Sequence, residues 1–184
     1  MANLFNVVGI SGSTRENSIN LVLLKIIVEM FSNKLNMDIY ERIALLPQFN
    51  PDHDQENIES EVLRFRNLIE SADGVIICTP EYAHGVPGTL KNAIDWTVSS
   101  SGFYQKPTVL ITASTDGKFG HQALIETLLA IGCRNVEQLQ MVISFVKTKV
   151  TAEGKITDAD TLDRLMAIIN EFVAIMELSP QTEQ

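Results

Sequence analysis

The first 35 residues constrain the fold most, because a strand, a turn of small polar residues and a helix follow one another directly. Residues 4–10 are apolar and predict a buried strand, and Val22, Ile26 and Met30 recur at helical spacing in a helix predicted over residues 18–35. Unpaired N–H groups and the helix dipole at such a helix start attract anions. The turn therefore predicts a phosphate site. The side chains available to it are Ser11, Ser13, Thr14, Arg15 and Ser18.

A simpler interpretation of the same turn is that Ser18 caps the helix and its neighbours fill a tight corner. Two familiar nucleotide motifs are absent. The turn has no G-x-x-x-x-G-K-[ST], and Gly9 and Gly12 do not form G-x-G-x-x-G. On this segment alone, both interpretations stay open.

Strands and helices alternate along the rest of the chain, which predicts the α/β class. Further strands are expected at residues 37–43, 74–78, 108–113 and 135–145, and the last helix at 158–176. Residues 147–155 are expected to be exposed. Five strands, each followed by a helix, imply right-handed crossovers and a parallel sheet covered on both faces.

Three loops leave the carboxyl ends of the predicted strands, at residues 11–17, 79–86 and 114–120. Each is rich in glycine or small polar residues. Ligands of open parallel sheets bind beyond these strand ends, where the strand order reverses. We therefore expect the three loops to form one site.

Composition limits the classes of function. The 184 residues fit one domain, expected to cover residues 1–178 with a polar tail at 179–184. A formal net charge of −9 argues against nucleic-acid and membrane-surface partners. Cys78 and Cys133 are expected to be buried and reduced, which favours a cytoplasmic location. No Cys/His spacing suggests a metal, and no apolar run predicts a signal peptide or a membrane span.

A second informative segment is the loop and helix start at residues 79–96. A flat aromatic ring needs backbone N–H groups at its edge and apolar surface at its face, and a loop containing proline, tyrosine and glycine offers both. The alternative is an ordinary loop that leads to a helix started by Pro87, with Trp96 in the core.

With both segments in view, the chain resembles the NADPH-dependent FMN reductase family, which has a flavodoxin-like fold. The resemblance covers nearly the whole chain and depends on G-S-T-R-x-x-S-x-N at residues 12–20 and P-E-Y-x-x-x-x-P-G-x-L-K-N-A-I-D-W at residues 80–96. It implies a three-layer sandwich around a five-stranded parallel sheet of order 2-1-3-4-5, a bound FMN, and NADPH or NADH as co-substrate.

The resemblance also assigns residues. The FMN phosphate would be held by Ser11, Ser13, Thr14, Arg15, Ser18 and Asn20. The isoalloxazine ring would be bordered by Pro80, Glu81, Tyr82, Ala83, His84 and Gly85, with Ser114 and Gly117 from the third loop.

Two departures from the family pattern bear on substrate preference. Ala83 stands where family members often have Asn, so a side-chain contact is lost while a backbone N–H remains. The third loop is less glycine-rich than is common, and its Asp116 would place a negative charge near an electron-rich flavin.

The implied activity is electron transfer from NAD(P)H through FMN to a small acceptor, with quinones ahead of azo dyes, metal oxyanions and free flavin. No acid–base side chain is obligatory, so no catalytic residue is assigned. His84 is either a proton donor or stacking group for substrate, or a solvated loop histidine. Lys118 is a weak candidate for recognising the 2′-phosphate of NADPH.

Two rival classes of function remain. A flavodoxin-type electron carrier would bind FMN and act with protein partners, but such carriers often lack a positive charge like Arg15 in the phosphate loop. A phosphoacceptor signalling domain needs paired carboxylates at the end of the first strand, and that strand ends in Gly9, Ile10 and Ser11.

The resemblance further implies a homodimer or homotetramer. Interface candidates are the helix at residues 87–99 and the loop at residues 100–106, where Phe103 and Tyr104 are expected to be exposed.

Overall fold

The computed structural model describes residues 4–54 and 58–178. Five parallel strands lie in the order β2-β1-β3-β4-β5, which confirms the predicted flavodoxin-like arrangement. The strands are β1 Phe5–Ser11, β2 Leu35–Tyr40, β3 Gly74–Thr79, β4 Thr108–Ala113 and β5 Gln140–Ile143. The helices are α1 Ile19–Met30, α2 Ser60–Ser71, α3 Gly88–Asp95, α4 Lys118–Ala130 and α5 Ala159–Leu178. Short 3-10 helices occupy Ile43–Leu45, Pro51–His53 and Val146–Thr148.

Helices cover both faces of the sheet, as the alternating pattern predicted. Helices α1 and α5 pack on one face, together with Ile76 and Cys78 of β3. Helices α2, α3 and α4 pack on the other face, together with Val75 and Ile77. Strands β3 and β4 are buried along their whole length. The carboxyl ends of the central strands therefore lie between two rigid helical layers.

The boundary between α1 and β2 differs from the sequence prediction. The helix ends at Met30 and not near residue 35, and the strand begins at Leu35 and not at residue 37. The reason is the sheet register, which pairs Phe5 with Leu35 and buries the Leu35 side chain. Ile43, expected at the end of this strand, lies in a 3-10 helix.

The region around β5 also differs. The strand spans four residues, because Asn135 adopts a left-handed φ of +62° and accepts from the Leu139 N–H in a turn. The expected exposure of residues 147–155 is wrong at Val150, which is buried in the core under α1 and α5. In α5, the helical spacing of the sequence predicts Met166 on the buried apolar face with Leu165 and Ile169, but Met166 is 40% exposed.

The expected exposure of both aromatics in the loop at residues 100–106 is half wrong. Phe103 is only 1% exposed and packs in the core with Ile69 of α2, whereas Tyr104 is 65% exposed. The loop folds back onto α2, which buries Phe103. Trp96 is buried and its Nε1 donates to Pro47 O. Both cysteines are free and buried, as expected.

Candidate functional site

The turn after β1 lies directly against the end of β3. Gly12 N donates to Cys78 O at 2.8 Å, and a Cβ added at Gly12 would overlap the side chain of Thr79. Only glycine allows this close approach. Beyond it, Ser11 Oγ donates to Ser13 O, and Ser13 Oγ accepts from Arg15 N. The hydroxyl groups thus shape the turn by bonding to its own backbone.

Ser18 is the N-cap of α1, as the simpler interpretation predicted. It has extended backbone angles, and its Oγ accepts from Asn20 N at 3.3 Å. This cap satisfies one of the four N–H groups that have no intrahelical partner in the first turn of any α-helix. The remaining N–H groups and the helix dipole keep their attraction for an anion, so capping and anion binding are compatible here.

Asn20 ties the start of α1 to two strand ends. Its Nδ2 donates to Ala113 O at 3.3 Å and its Oδ1 accepts from Cys78 Sγ at 3.4 Å. Burial raises the pKa of the Cys78 thiol, so the thiol stays protonated and is a donor. Asn20 therefore fixes the turn after β1 relative to β3 and β4.

The loop after β3 closes as a tight two-residue turn. Tyr82 and Gly85 exchange backbone hydrogen bonds of 3.1 and 2.9 Å, and between them Ala83 and His84 have left-handed φ values of +48° and +57°. This is the conformation of a type I′ turn, in which Asn is favoured. The Asn that family members often carry at position 83 fits this backbone better than alanine does.

Helix α4 holds the loop after β3 in place. Glu81 Oε2 accepts from Gly120 N at 2.6 Å, in the first turn of α4, and Ser114 Oγ donates to Glu81 O at 3.4 Å. A Cβ added at Gly120 would lie 2.8 Å from Gly85 O. The Glu81 carboxylate is thus already engaged as a helix cap supplied from another loop.

The three loops line one cavity of about 480 Å³, within the usual range for small-molecule sites. Eight of the residues assigned from the sequence line it: Ser13, Arg15, Ser18, Asn20, Pro80, Glu81, Tyr82 and Ser114. Six do not: Ser11, Thr14, Ala83, His84, Gly85 and Gly117.

The assigned residues that do not line the cavity lie in the turns and loops around it. Ser11 and Gly85 bond within the two turns. Gly117 is the N-cap of α4, with a φ of +97°. His84 is exposed and its ring lies 4.5 Å from that of Phe119. Thr14 is exposed on the turn.

Sequence reasoning missed one whole wall of the cavity, the segment after β5. The cavity residues not assigned from the sequence are Asn17, Ile19, Ala113, Thr115, Phe145, Val146, Lys147 and Thr148. The strand prediction ran through residue 145, whereas Phe145 leaves the sheet with a φ of +53° and its N–H donates to Thr115 O. Lys147 was the available signal, because a cation just after a strand end suits an anionic ligand.

A larger groove of about 740 Å³ lies along the edge strand β2 and α2. Its charged lining includes Arg42, whose guanidinium already forms a bidentate pair with Glu61 at 2.6 and 2.8 Å. None of the three glycine-rich or small polar loops lines it. Size alone does not make it the functional site, and the chemistry favours the smaller cavity.

The cavity suits a phosphate-bearing flat ligand. Arg15 and Lys147 give it two cations in a chain of net charge −9, and the α1 N-terminus lies at one end. Pro80 and Tyr82 supply apolar surface at the other end. The residues present therefore fit FMN, with its phosphate at α1 and its ring at the loop after β3.

Over residues 4–54 and 58–178, no cluster of three or more His, Cys, Asp or Glu side chains is placed to hold a metal ion. Within the same described ranges, no helix combines the length and apolarity needed to cross a bilayer.

A parallel sheet of order 2-1-3-4-5, with a small polar turn leading into a helix after β1 and a cavity across the central strand ends, defines a flavodoxin-like nucleotide-binding protein. The family model described as NADPH-dependent FMN reductase matches residues 5–148, and the chain belongs to that family. This confirms the predicted class, an FMN-dependent NAD(P)H oxidoreductase.

Curated relatives match over nearly their whole length. The NADH:(hydroxy)cinnamate reductase subunit CrdA of Vibrio ruber is 31% identical over 94% of this chain and 88% of its own. A quinone reductase of Escherichia coli is 30% identical over 94% of this chain and 95% of its own. Among solved structures, FerB of Paracoccus denitrificans, a flavoenzyme NAD(P)H:(acceptor) oxidoreductase, superposes with a TM-score of 0.78 at 27% identity, over 95% of this chain and 98% of that one.

Proposed function

We propose that the enzyme reduces small quinone-type acceptors with electrons from NADPH or NADH, and that its FMN occupies the 480 Å³ cavity. The observation that carries the proposal is the convergence of the α1 N-terminus, the Pro80–Tyr82 segment and the loop after β4 on that one cavity. When bound, FMN accepts a hydride from the nicotinamide and passes its electrons to the acceptor.

At the phosphate end, the chain supplies charge and donors. Arg15 and the first-turn N–H groups of α1 bind the phosphate, and Ser13 and Ser18 keep the turn in shape. Asn20 positions this turn through its bonds to β3 and β4 and does not itself need to donate to the phosphate.

At the ring end, the chain supplies placement. Glu81 and Gly120 fix the loop after β3 before any ligand binds, so its backbone N–H groups are preorganised at the ring edge. Pro80 and Tyr82 bound the ring, with Ser114 from the loop after β4. No side-chain proton transfer is required of these residues for the hydride step.

We further propose a homodimer or homotetramer in which α3 and the segment after it contribute to the interface. Val98 is 56% exposed and Tyr104 is 65% exposed, and both follow α3. Phe103, buried in the core, is removed from the proposed interface. Light scattering at micromolar concentration should report a dimer or tetramer, and a Val98→Asp/Tyr104→Asp variant should dissociate. A monomeric wild-type protein would contradict the proposal.

We also propose that residues 1–178 act as one domain in the cytoplasm. The reduced, buried state of both thiols and the use of a nicotinamide nucleotide support that location. Residues 179–184, expected to be a polar tail, lie outside the described residues.

Anaerobic stopped-flow mixing tests the activity. The FMN-loaded protein is mixed with NADPH or with NADH while flavin absorbance is followed, and menadione is then added. Bleaching by at least one nucleotide and recovery by the quinone are expected. If neither nucleotide bleaches the flavin while a reduced protein partner does, the protein is an electron carrier and the proposal fails.

A further inference from the structure

Phe145 combines an unfavourable backbone with an exposed aromatic side chain. Its φ and ψ of +53° and +39° lie in the left-handed region, where a bulky residue is an outlier. At 64% exposure, the residue gains little from burial to offset that conformation. Such strain persists where the surroundings impose it, and it clusters at functional sites.

Hydrogen bonds to neighbouring residues hold Phe145 in this left-handed conformation. Phe145 N donates to Thr115 O at 3.1 Å, and Phe145 O accepts from both Thr148 N and Thr148 Oγ1, at 2.9 and 2.8 Å. The residue is held between the loop after β4 and the 3-10 helix Val146–Thr148. Phe145 is therefore held in the cavity lining by a fixed backbone.

A second exposed aromatic lines the cavity from the other side of β4. Tyr82 follows β3 and is 50% exposed, while Phe145 follows β5, and β3 and β5 are the two neighbours of β4 in the sheet. Ser114 and Thr115, which follow β4, also line the cavity. The cavity lining thus includes an aromatic residue after each strand that flanks β4, with small polar residues after β4 itself, which suits a flat apolar ligand.

We propose that Phe145 is a specificity-determining residue that stacks on planar aromatic acceptors and favours them over acceptors without a ring. This inference builds on the proposed function, because it concerns the acceptor of that same site. The flavin ring is also planar and aromatic, so the test separates a contact with the acceptor from a contact with the cofactor.

Three variants distinguish the properties of the residue. Phe145→Tyr keeps the aromatic ring, Phe145→Leu keeps apolar bulk without the ring, and Phe145→Asn removes the ring while suiting the left-handed backbone. Leu45→Ala is the control, because Leu45 is an exposed apolar residue, at 57%, that does not line the cavity.

Calorimetric titration of the oxidised, FMN-loaded enzyme with menadione measures acceptor binding without turnover. A stacked aromatic pair is worth about 0.5–1.5 kcal/mol, so Phe145→Leu and Phe145→Asn should weaken menadione binding by roughly 2- to 12-fold. Phe145→Tyr and Leu45→Ala should bind menadione as the wild type does. In steady state, KM for menadione should rise in the two ringless variants, while ferricyanide reduction and FMN affinity stay unchanged.

Two results would overturn the inference. One is unchanged menadione affinity in both ringless variants. The other is a loss of FMN affinity in those variants with normal menadione binding at saturating FMN, which assigns the ring to the cofactor. Phe145→Asn should melt at or above the wild-type temperature, because its backbone strain is reduced; a clearly lower melting temperature would contradict the strain argument. Failure of the wild type to be reduced by either nucleotide would refute the proposed function separately, since the titration needs no reduction.

Discussion

Glu81 is expected to stabilise the folded protein even when no ligand is bound. Its Oε2 accepts from Gly120 N at 2.6 Å at the start of α4, so a Glu81→Ala substitution removes a hydrogen bond to a charged group and a negative charge at a helix N-terminus. Bonds of this kind contribute about 1.5–3 kcal/mol, and the dipole effect of about 0.3–1 kcal/mol is part of the same interaction. We therefore expect a loss of about 1.5–3 kcal/mol in the free energy of unfolding.

Urea unfolding of the FMN-free protein, followed by far-ultraviolet circular dichroism, measures this loss without any contribution from the cofactor. Glu81→Gln keeps an acceptor oxygen and should lose only about 0.5–1 kcal/mol. Glu126→Ala is the control, because Glu126 is an exposed carboxylate on the same helix and should change stability by less than about 0.5 kcal/mol. If Glu81→Ala were no more destabilising than Glu126→Ala, the capping role would be refuted.

Three further substitutions test the interactions that stabilise the folded protein. Gly120→Ala should destabilise the protein by about 1–2 kcal/mol and weaken FMN binding, because its Cβ would meet loop backbone at 2.8 Å; Gly88→Ala, with open space around its Cβ, should be neutral or stabilising in the same urea titration. Asp54→Ala leaves the Arg66 guanidinium buried without its 2.7 Å ion-pair partner and should cost about 3–5 kcal/mol in thermal or urea unfolding; a loss below 1 kcal/mol would contradict it. Burial lowers the pKa of His121, so the unfolded state binds its proton more readily and stability should fall as pH drops below about 6.5; His121→Gln should show a smaller fall between pH 7.5 and 5.5.

Much of the fold followed from the sequence because its local signals agree with the tertiary structure. The short apolar run at the start of β3 and the small polar turn after β1 each have one natural place in a parallel sheet. The strand order came from the family resemblance, since composition and periodicity do not determine which strands are neighbours.

The predictions of burial were wrong where contacts between residues distant in sequence determine which side chains are buried. Phe103 was expected at the surface because its loop is polar, yet the loop folds onto α2 and buries the ring. Val150 was likewise placed in an exposed stretch, although it packs under α1 and α5. Neither packing partner is near in sequence, so no local pattern could have shown the burial.

The sequence predicted the two loops of the candidate site that carry motifs, but it did not predict the segment after β5. Arg15 and Tyr82 were assigned from the motifs, and both line the cavity. Phe145 was missed because nothing in the sequence marks a left-handed backbone on a phenylalanine, and Lys147 was missed because residues 147–155 were expected only to be exposed.

The most direct test of the central claim, that this cavity binds FMN through the turn after β1, is a calorimetric titration of FMN into the cofactor-free protein. Arg15→Ala should weaken binding by about 1.5–3 kcal/mol, roughly 10- to 150-fold, because it removes a charge-assisted bond to the phosphate. Lys118→Ala, which removes an exposed cation outside the cavity lining, should leave FMN affinity unchanged. Equal FMN affinity in the wild type and Arg15→Ala would contradict the claim.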